Sequence, residues 1–411
     1  MILDKNQNND KNFFNKNRQK LLNKIENNSI AIFFSETPKF RNGGHEYPFR
    51  QNSNLIYLTG ILEPIHSLWL FKDSEGNSDV FILLPEYDEK TKIYQGSGIS
   101  PKEIESISGI QQIFTFKEIF YEKLKHCKTI YCEKNKLSFL SNIINTEKIQ
   151  DINPIIDELR LIKEPEEIKF IQKAINITGA AFHELLKNFK TFKRESDIEA
   201  FITAFFIKKG NLPHAYLPII ANGSNALTLH YIKNNQKLQK KSLTLLDFGC
   251  EFKGYASDLS RTIPNNGVFN KRTSRIYNKV LSILNDVTRQ MVVGTTIKEL
   301  NNIANKLMEK ALIELNLLKP SDFKGSPTIS PCKKYFPHGI SHFIGLDVHD
   351  CGNVDTVLKP NMILSCEPGI YIPEENIGIR IENDILISSK PINLMKNIPQ
   401  KIDEIESIMN H

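Results

Sequence analysis

Beyond about residue 160 the sequence runs twice through one order of elements, two helices and then strands, and this repetition constrains the fold more than any other feature. The first pass opens at EPEEIKF, where Pro165 suits a first helical turn and Glu166 and Glu167 suit its positive end. Ile168, Ile171, Ile175, Phe182 and Leu186 keep helical spacing, and Ser196 with Glu199 predicts a capping box for a second helix stopping at Lys208, Lys209 and Gly210. Strands are expected from about residue 215 to 263. The second pass predicts a helix near 272–291, another from a box of Thr296 and Glu299 to about 317, and strands from 335 to 390. No residue-level repeat accompanies this order. The implied symmetry is one of elements: two helix-helix-strand halves of an α/β (α+β) domain over residues 161–411.

A chain of 411 residues exceeds one ordinary core, so a second domain is expected ahead of the boundary near 160. Residues 1–160 read as a small α/β domain, in which AIFF, LIYLTG, SLWLF and VFILLP look like strands between turn-rich segments, with amphipathic stretches around 102–125. The first dozen residues, rich in Asn and Lys, are expected to fray. A net charge of +6 from 53 basic and 47 acidic residues is too even to indicate a nucleic-acid partner. No run of about 18 apolar residues suggests a membrane span. The opening MILDKNQNNDKNFFNKNRQK lacks the apolar stretch of a signal peptide, and Asp4 and Asp10 argue against a transit peptide, which predicts a cytoplasmic address. Six cysteines without a CxxC pair read as reduced thiols.

The chemistry begins in LTLLDFGCEFKGYASDLSRT, an apolar strand carrying Asp247, a polar reversal, and a return strand carrying Asp258. With the reversal centred between Phe252 and Lys253, the two aspartates are predicted to stand directly opposite, with Cβ atoms about 4.5–5.5 Å apart. Two facing buried carboxylates repel unless protonated, hydrogen-bonded or bound to cations. Taken alone, aspartates near a turn are more often solvated, so further ligands are needed. YFPHGISHFIGLDVHD gathers His338, His342 and His349 in a chain with ten histidines, and Gly339 after His338 excludes a helical HExxH motif. Glu367 in MILSCEPGIYI and Glu382 in IGIRIENDILI sit in apolar, strand-like settings. Alternation puts Arg380, Glu382 and Asp384 on one face; a surface strand with an internal salt bridge explains this pattern equally well. Together Asp247, Asp258, His342, Glu367 and Glu382 supply oxygen and imidazole ligands suited to two divalent ions such as manganese, cobalt or zinc, and hydrolysis is the implied reaction.

At this point the chain resembles the pita-bread (creatinase/aminopeptidase) metallopeptidases, and within them the Xaa-Pro aminopeptidases (aminopeptidase P). RNGGHEYPFRQNSNLIYLTGILEP resembles the N-terminal domain signature, and DFGCEFKGYASDLSRT, HGISHFIGLDVHD, EPGIYI and GIRIEND resemble the catalytic motifs in order. The resemblance implies that Asp247, Asp258 and Glu382 hold one metal and Asp258, His342, Glu367 and Glu382 the other, with Mn2+ the expected ion. It implies that His230 and His349 bind and polarise the scissile peptide, that His338 supports them, that Glu367 shuttles the proton, that Arg380 holds neighbouring carboxylates or substrate, and that Tyr371 lies near the proline pocket. A hydroxide bridging the two metals would attack the first peptide bond of substrates with proline in second position. Subunits would form a homo-oligomer, dimer or tetramer, a choice left open because the stretch from Tyr94 to Glu118 departs from the family pattern. The rival readings are a prolidase, restricted to Xaa-Pro dipeptides, and a catalytically inactive pita-bread domain that binds peptides. Intact ligands weigh against the second, and the long N-terminal domain weighs against a methionine aminopeptidase.

Overall fold

The computed structural model describes residues 7–115, 123–124, 126–139, 146–210, 214–324 and 330–411. Close contacts divide the chain into two compact units, Met1–Arg160 and Leu161–His411.

The first unit starts with helix α1 (Gln7–Lys24), so the expected fraying does not extend over residues 7–12. Phe13, Phe14 and Leu21 are buried, and Asn17 and Arg18 donate to the carbonyls of Tyr57, Leu58 and Ser108, which anchors a helix whose polar composition suggested none. The following elements are β1 (Ser29–Phe34), β2 (Phe40–Asn42), β3 (His45–Glu46), α2 (Ser53–Thr59), β4 (Ser67–Lys72), β5 (Ser78–Leu83), α3 (Glu89–Gln95), α4 (Pro101–Ser108), β6 (Gln112–Phe114), β7 (Thr129–Cys132), β8 (Ile149–Asp151) and α5 (Asn153–Leu161). The sheet runs β6-β5-β4-β1-β7-β8, with Ile30, Ile32, Trp69, Phe81 and Ile130 in its core. LIYLTG lies in helix α2 and not in a strand. Asn52 caps it by accepting from the amides of Asn54 and Leu55, and Gly60, at φ 72°, ends it in the left-handed region. Part of the divergent stretch up to Glu118, and of the amphipathic one around 102–125, lies outside the described residues.

In the second unit α6 (Pro165–Asn188) and α7 (Glu195–Lys208) precede β9 (Ile219–Asn222), β10 (Leu243–Asp247), β11 (Glu251–Phe252), β12 (Tyr255–Ala256) and β13 (Ser260–Pro264). Then α8 (Lys271–Thr288) and α9 (Ile297–Glu314) precede β14 (Ile363–Cys366), β15 (Gly369–Ile372), β16 (Ile377–Arg380), β17 (Asn383–Leu386) and β18 (Ile392–Asn393), before α10 (Ile402–Asn410). The helix-helix-strand order therefore occurs twice. The Thr296 and Glu299 box forms, whereas α7 starts earlier than its expected Ser196 and Glu199 box. Asp197 accepts from the amides of Lys193 and Arg194, which leaves Glu199 to bond Asn234 and Glu195 to turn inward. Strands begin only at Ile363. Among residues 335–362 the pairing is confined to two isolated bridges, Phe343 to Leu364 and Val357 to Thr296, because Pro337, Gly339, Gly345 and Gly352 break the segment into turns.

The hairpin register also departs from expectation. Glu251 pairs with Ala256, Phe252 with Tyr255, and Asp247 with Ser260. The reversal falls between Lys253 and Gly254, at φ 51° and 84°, because a two-residue hairpin turn needs both central residues in the left-handed region. The expected centre would have forced bulky Phe252 there. The register slides accordingly, and Asp258 comes beside Gly249 instead of Asp247. Gly249 is required there, since a Cβ would meet the Ser257 carbonyl oxygen at 1.8 Å.

The two halves join through these strands: the Glu382 amide donates to the Ser260 carbonyl, and the Arg380 amide to the Thr262 hydroxyl. The start of β13, two residues after Asp258, and the β16–β17 corner that carries Glu382 are thereby brought side by side.

Candidate metal centre

Asp258, His342 and Glu382 present ligand atoms that all lie within 4.8 Å of one another. His342 Nε2 stands 3.4 Å from Asp258 Oδ2, 3.7 Å from Glu367 Oε1 and 3.8 Å from Glu382 Oε1. These separations exceed an N–H···O hydrogen bond. Ligand atoms each about 2.0–2.2 Å from a shared ion stand roughly 3–4 Å apart, which is the spacing found. His342 Nδ1 lies 3.1 Å from the Phe343 carbonyl, so its proton can sit there and leave the Nε2 lone pair to a metal. Glu382 is 2% exposed and its Oε1 has no hydrogen-bond partner among the described residues, a costly arrangement unless a cation lies against it. Asp247 is joined to this group by Tyr216, whose hydroxyl is 2.7 Å from Asp247 Oδ1 and 2.5 Å from Asp258 Oδ1. The donor set fits divalent first-row ions.

The electrostatics show the same demand for positive charge. Burial, then repulsion from Asp258, Glu367 and Asp247, holds the Glu382 carboxyl well above its ordinary range. Burial raises Glu367 to about 7 against the pull of His342 and Arg380. Asp247 is raised by burial, which Arg380 only partly offsets. Burial would raise Asp258 as well, but the nearby His342 imidazole and the hydrogen bond from Tyr216 outweigh it and lower it. His342 shows the complement: burial disfavours its charged form, yet Asp258 and Glu367 hold it up to about 9. The imidazole is thus doing electrostatically what a metal cation does better.

Arg380 organises the neighbouring shell. Its Nη2 donates to Asp247 Oδ2 at 2.5 Å, its Nη1 to the Tyr371 hydroxyl at 2.8 Å, and its Nε to Ser260 Oγ at 2.8 Å. Ser260 in turn donates to Glu382 Oε2 at 2.8 Å. Since arginine only donates, Tyr371 accepts from it and passes its own proton toward His338 Nε2, 2.9 Å away. His338 then keeps its proton on Nδ1, facing the Gly339 carbonyl at 2.7 Å. Burial, followed by repulsion from Arg380, lowers His338 to about 3, so the ring is neutral. His349 lies edge-on to His342, ring centroids 4.3 Å apart, and both His349 and His230 are exposed. Burial, then the charge of His342, holds the His349 imidazole below its ordinary range.

Further side chains complete the site, of which only Asp384 was marked by strand alternation. Tyr216 spans two carboxylates, Ser260 links Arg380 to Glu382, and Asp384 Oδ2 accepts the Asp258 amide at 3.2 Å. Fully buried Arg261 donates to the carbonyls of Ser260 and Glu382 and to Asn383 Oδ1, which fixes the backbone beneath the ligand. Ser260 and Arg261 were findable as polar side chains inside an apolar strand, whereas nothing near Tyr216 in the sequence points to it. The IGIRIEND segment is buried throughout from Gly378 to Asp384, so the surface-strand alternative does not hold.

The family model described as metallopeptidase family M24 matches residues 169–389, and that described as aminopeptidase P, N-terminal domain, matches residues 14–131. The Xaa-Pro aminopeptidase of Escherichia coli (strain K12) is 32% identical, over 96% of this chain and 97% of its own length. That of Haemophilus influenzae is 30% identical, with 97% of each chain covered. Zinc-substituted E. coli aminopeptidase P in complex with product superimposes with a TM-score of 0.87 at 31% identity, covering 97% of this chain and 98% of the other.

Proposed function

The chain belongs to metallopeptidase family M24, and from that premise we propose that it is a metal-dependent aminopeptidase that removes the first residue of peptides in which proline comes second. The observation that carries this reading is the convergence of Asp258, His342 and Glu382, flanked by Glu367 and Asp247, in a chain that also matches the aminopeptidase P N-terminal domain. On this reading residues 1–160 form that N-terminal domain and residues 161–411 the catalytic pita-bread domain.

Asp247, Asp258 and Glu382 would hold one divalent ion, and Asp258, His342, Glu367 and Glu382 the other, with manganese the proposed physiological choice. When bound, such a pair supplies hydroxide at neutral pH and polarises a carbonyl. Arg380 fixes Asp247 through Oδ2, leaving Oδ1 facing Tyr216 and Asp258, and orients Glu382 through Ser260. His230 and His349, exposed at the mouth, orient the scissile peptide and donate to the oxygen on which negative charge develops. His338, neutral with its proton on Nδ1, supports them through Tyr371. Glu367 carries the proton to the departing proline nitrogen. Proline has no amide N–H and a fixed φ, so a site that reads an ordinary extended chain handles this bond poorly.

A cytoplasmic address belongs to the same proposal and rests on the bacterial relatives; no helix among the described residues is long and apolar enough to cross a membrane. Homo-oligomers, dimeric or tetrameric, are likewise expected, and light scattering would distinguish them.

The test is hydrolysis of an Xaa-Pro-Yaa tripeptide, the matching Xaa-Pro dipeptide and a Met-Ala-Ser control by protein stripped of metal and refilled with manganese. Metal-dependent release of Xaa from the tripeptide alone is expected. Preference for the dipeptide would make the enzyme a prolidase, and inactivity with two metals bound would reduce it to a peptide-binding module.

A further inference from the structure

We propose that Glu195 is a positioning residue for His230, acting through the loop that carries it; this rests on the role given to His230 above. Glu195 is the first residue of α7 and is fully buried, 0% exposed. No lysine or arginine among the described residues pairs with it, and hydrogen bonds occupy both oxygens twice over. Oε1 accepts from the Asn222 amide at 2.9 Å and from Asn225 Nδ2 at 2.7 Å; Oε2 accepts from the Tyr231 hydroxyl at 2.8 Å and from the Gln236 amide at 2.9 Å. All four donors come from residues 222–236, and His230 lies between Asn225 and Tyr231.

The His230 ring, by contrast, is exposed and forms no hydrogen bond to the described residues. Its position is therefore set by the backbone on either side, not by contacts of its own. Apolar packing supplies part of that support, since Leu227 and Leu229 rest on a cluster of Ile219, Ala226, Leu245 and Tyr371. Such packing is non-directional. The Glu195 carboxylate adds direction, gripping the chain five residues before His230 and one residue after it. Charged acceptors of this kind form the stronger hydrogen bonds, and leaving the donors without one is costly. The arrangement resembles the support that Arg380 gives Asp247, but for a group that contacts substrate and not metal.

Because His230 acts in the reaction and Glu195 acts only through it, their effects must overlap. Four manganese-loaded proteins test this: wild type, Glu195→Gln, His230→Ala and the double variant. Glu195→Gln keeps the shape but turns an NH2 group toward donors. It is expected to lower whichever of kcat and 1/KM His230→Ala lowers, by about 100-fold, with both metals retained by elemental analysis. In the His230→Ala background the same change is expected to cost less than about twofold. Should Glu195→Gln not fold, Tyr231→Phe, which removes one of the four bonds, replaces it in the cycle with an expected loss of about tenfold, again absent from the His230→Ala background. Losses that multiply, or a Glu195→Gln enzyme as active as wild type, would overturn the positioning role. If His230→Ala alone retains full activity, it is the reading of His230 that fails.

Discussion

Arg380 donates to a carboxylate, a phenol and a serine hydroxyl through three separate nitrogens while 4% exposed. Its charge is strongly favoured because Tyr371, Asp247, Glu367 and Glu382 outweigh the burial that opposes it. A lysine retains the charge but not the planar fork, so it cannot hold three partners at fixed angles. Arg380→Lys is therefore expected to release Asp247, reduce bound metal from two ions per chain toward one, and cut kcat/KM by about 100-fold or more. Elemental analysis beside initial rates checks this, and a variant that keeps two ions and most of its activity would contradict the clamp.

At the scale of elements, the start of α6 depends on a carboxyl that is far from the metal ligands in chemistry. Glu167 accepts from the Glu164 amide at 2.8 Å and from the Tyr255 hydroxyl at 3.1 Å, and burial raises it to about 7 despite Lys163. In the unfolded chain it titrates at about 4.3. Between these values the native state holds a proton that the unfolded state has lost, so this contribution to stability is complete below the unfolded value and vanishes as pH rises through about 7. The effect is on the order of 3 kcal/mol. Glu167→Gln locks in a neutral side chain. Its Tm relative to wild type is expected to climb as pH rises from about 4.5 to 7 and then level off. A difference that does not vary with pH would count against the buried-carboxyl account.

For the whole molecule, folding brings Asp247, Asp258, Glu367 and Glu382 into one carboxylate centre, where metal occupancy would become part of stability. An ion that binds only the native state stabilises it by about 2.7 kcal/mol at a hundredfold excess over Kd. Chelation is expected to lower Tm by several degrees, and refilling with manganese or zinc to restore it. Scanning calorimetry of the stripped and refilled protein decides the matter. Equal melting of the two would mean that the carboxylates tolerate one another without a cation.

What the sequence by itself determined are those features that depend on local periodicity or residue chemistry. The repeated helix-helix-strand order was legible because apolar spacing separates helices from strands, and the types of Asp247, Asp258, His342, Glu367 and Glu382 marked a candidate divalent-ion site, of which the structure gathers Asp258, His342 and Glu382. Local signals misled where tertiary contacts outweighed them: α1 is held by buried Phe13, Phe14 and Arg18 despite its polar composition, and the apolar run of α2 follows its Asn52 cap. The hairpin register lay between, since Lys253–Gly254 announces a left-handed turn once the need for positive φ is applied. Tertiary structure alone decided that Tyr216 would span two carboxylates, that Arg261 would hold the Glu382 carbonyl, and that Glu195 would grip the His230 loop. Each of these contacts joins residues distant in the chain, and a hydrogen bond within a packed interior leaves no periodic trace in the segments it connects.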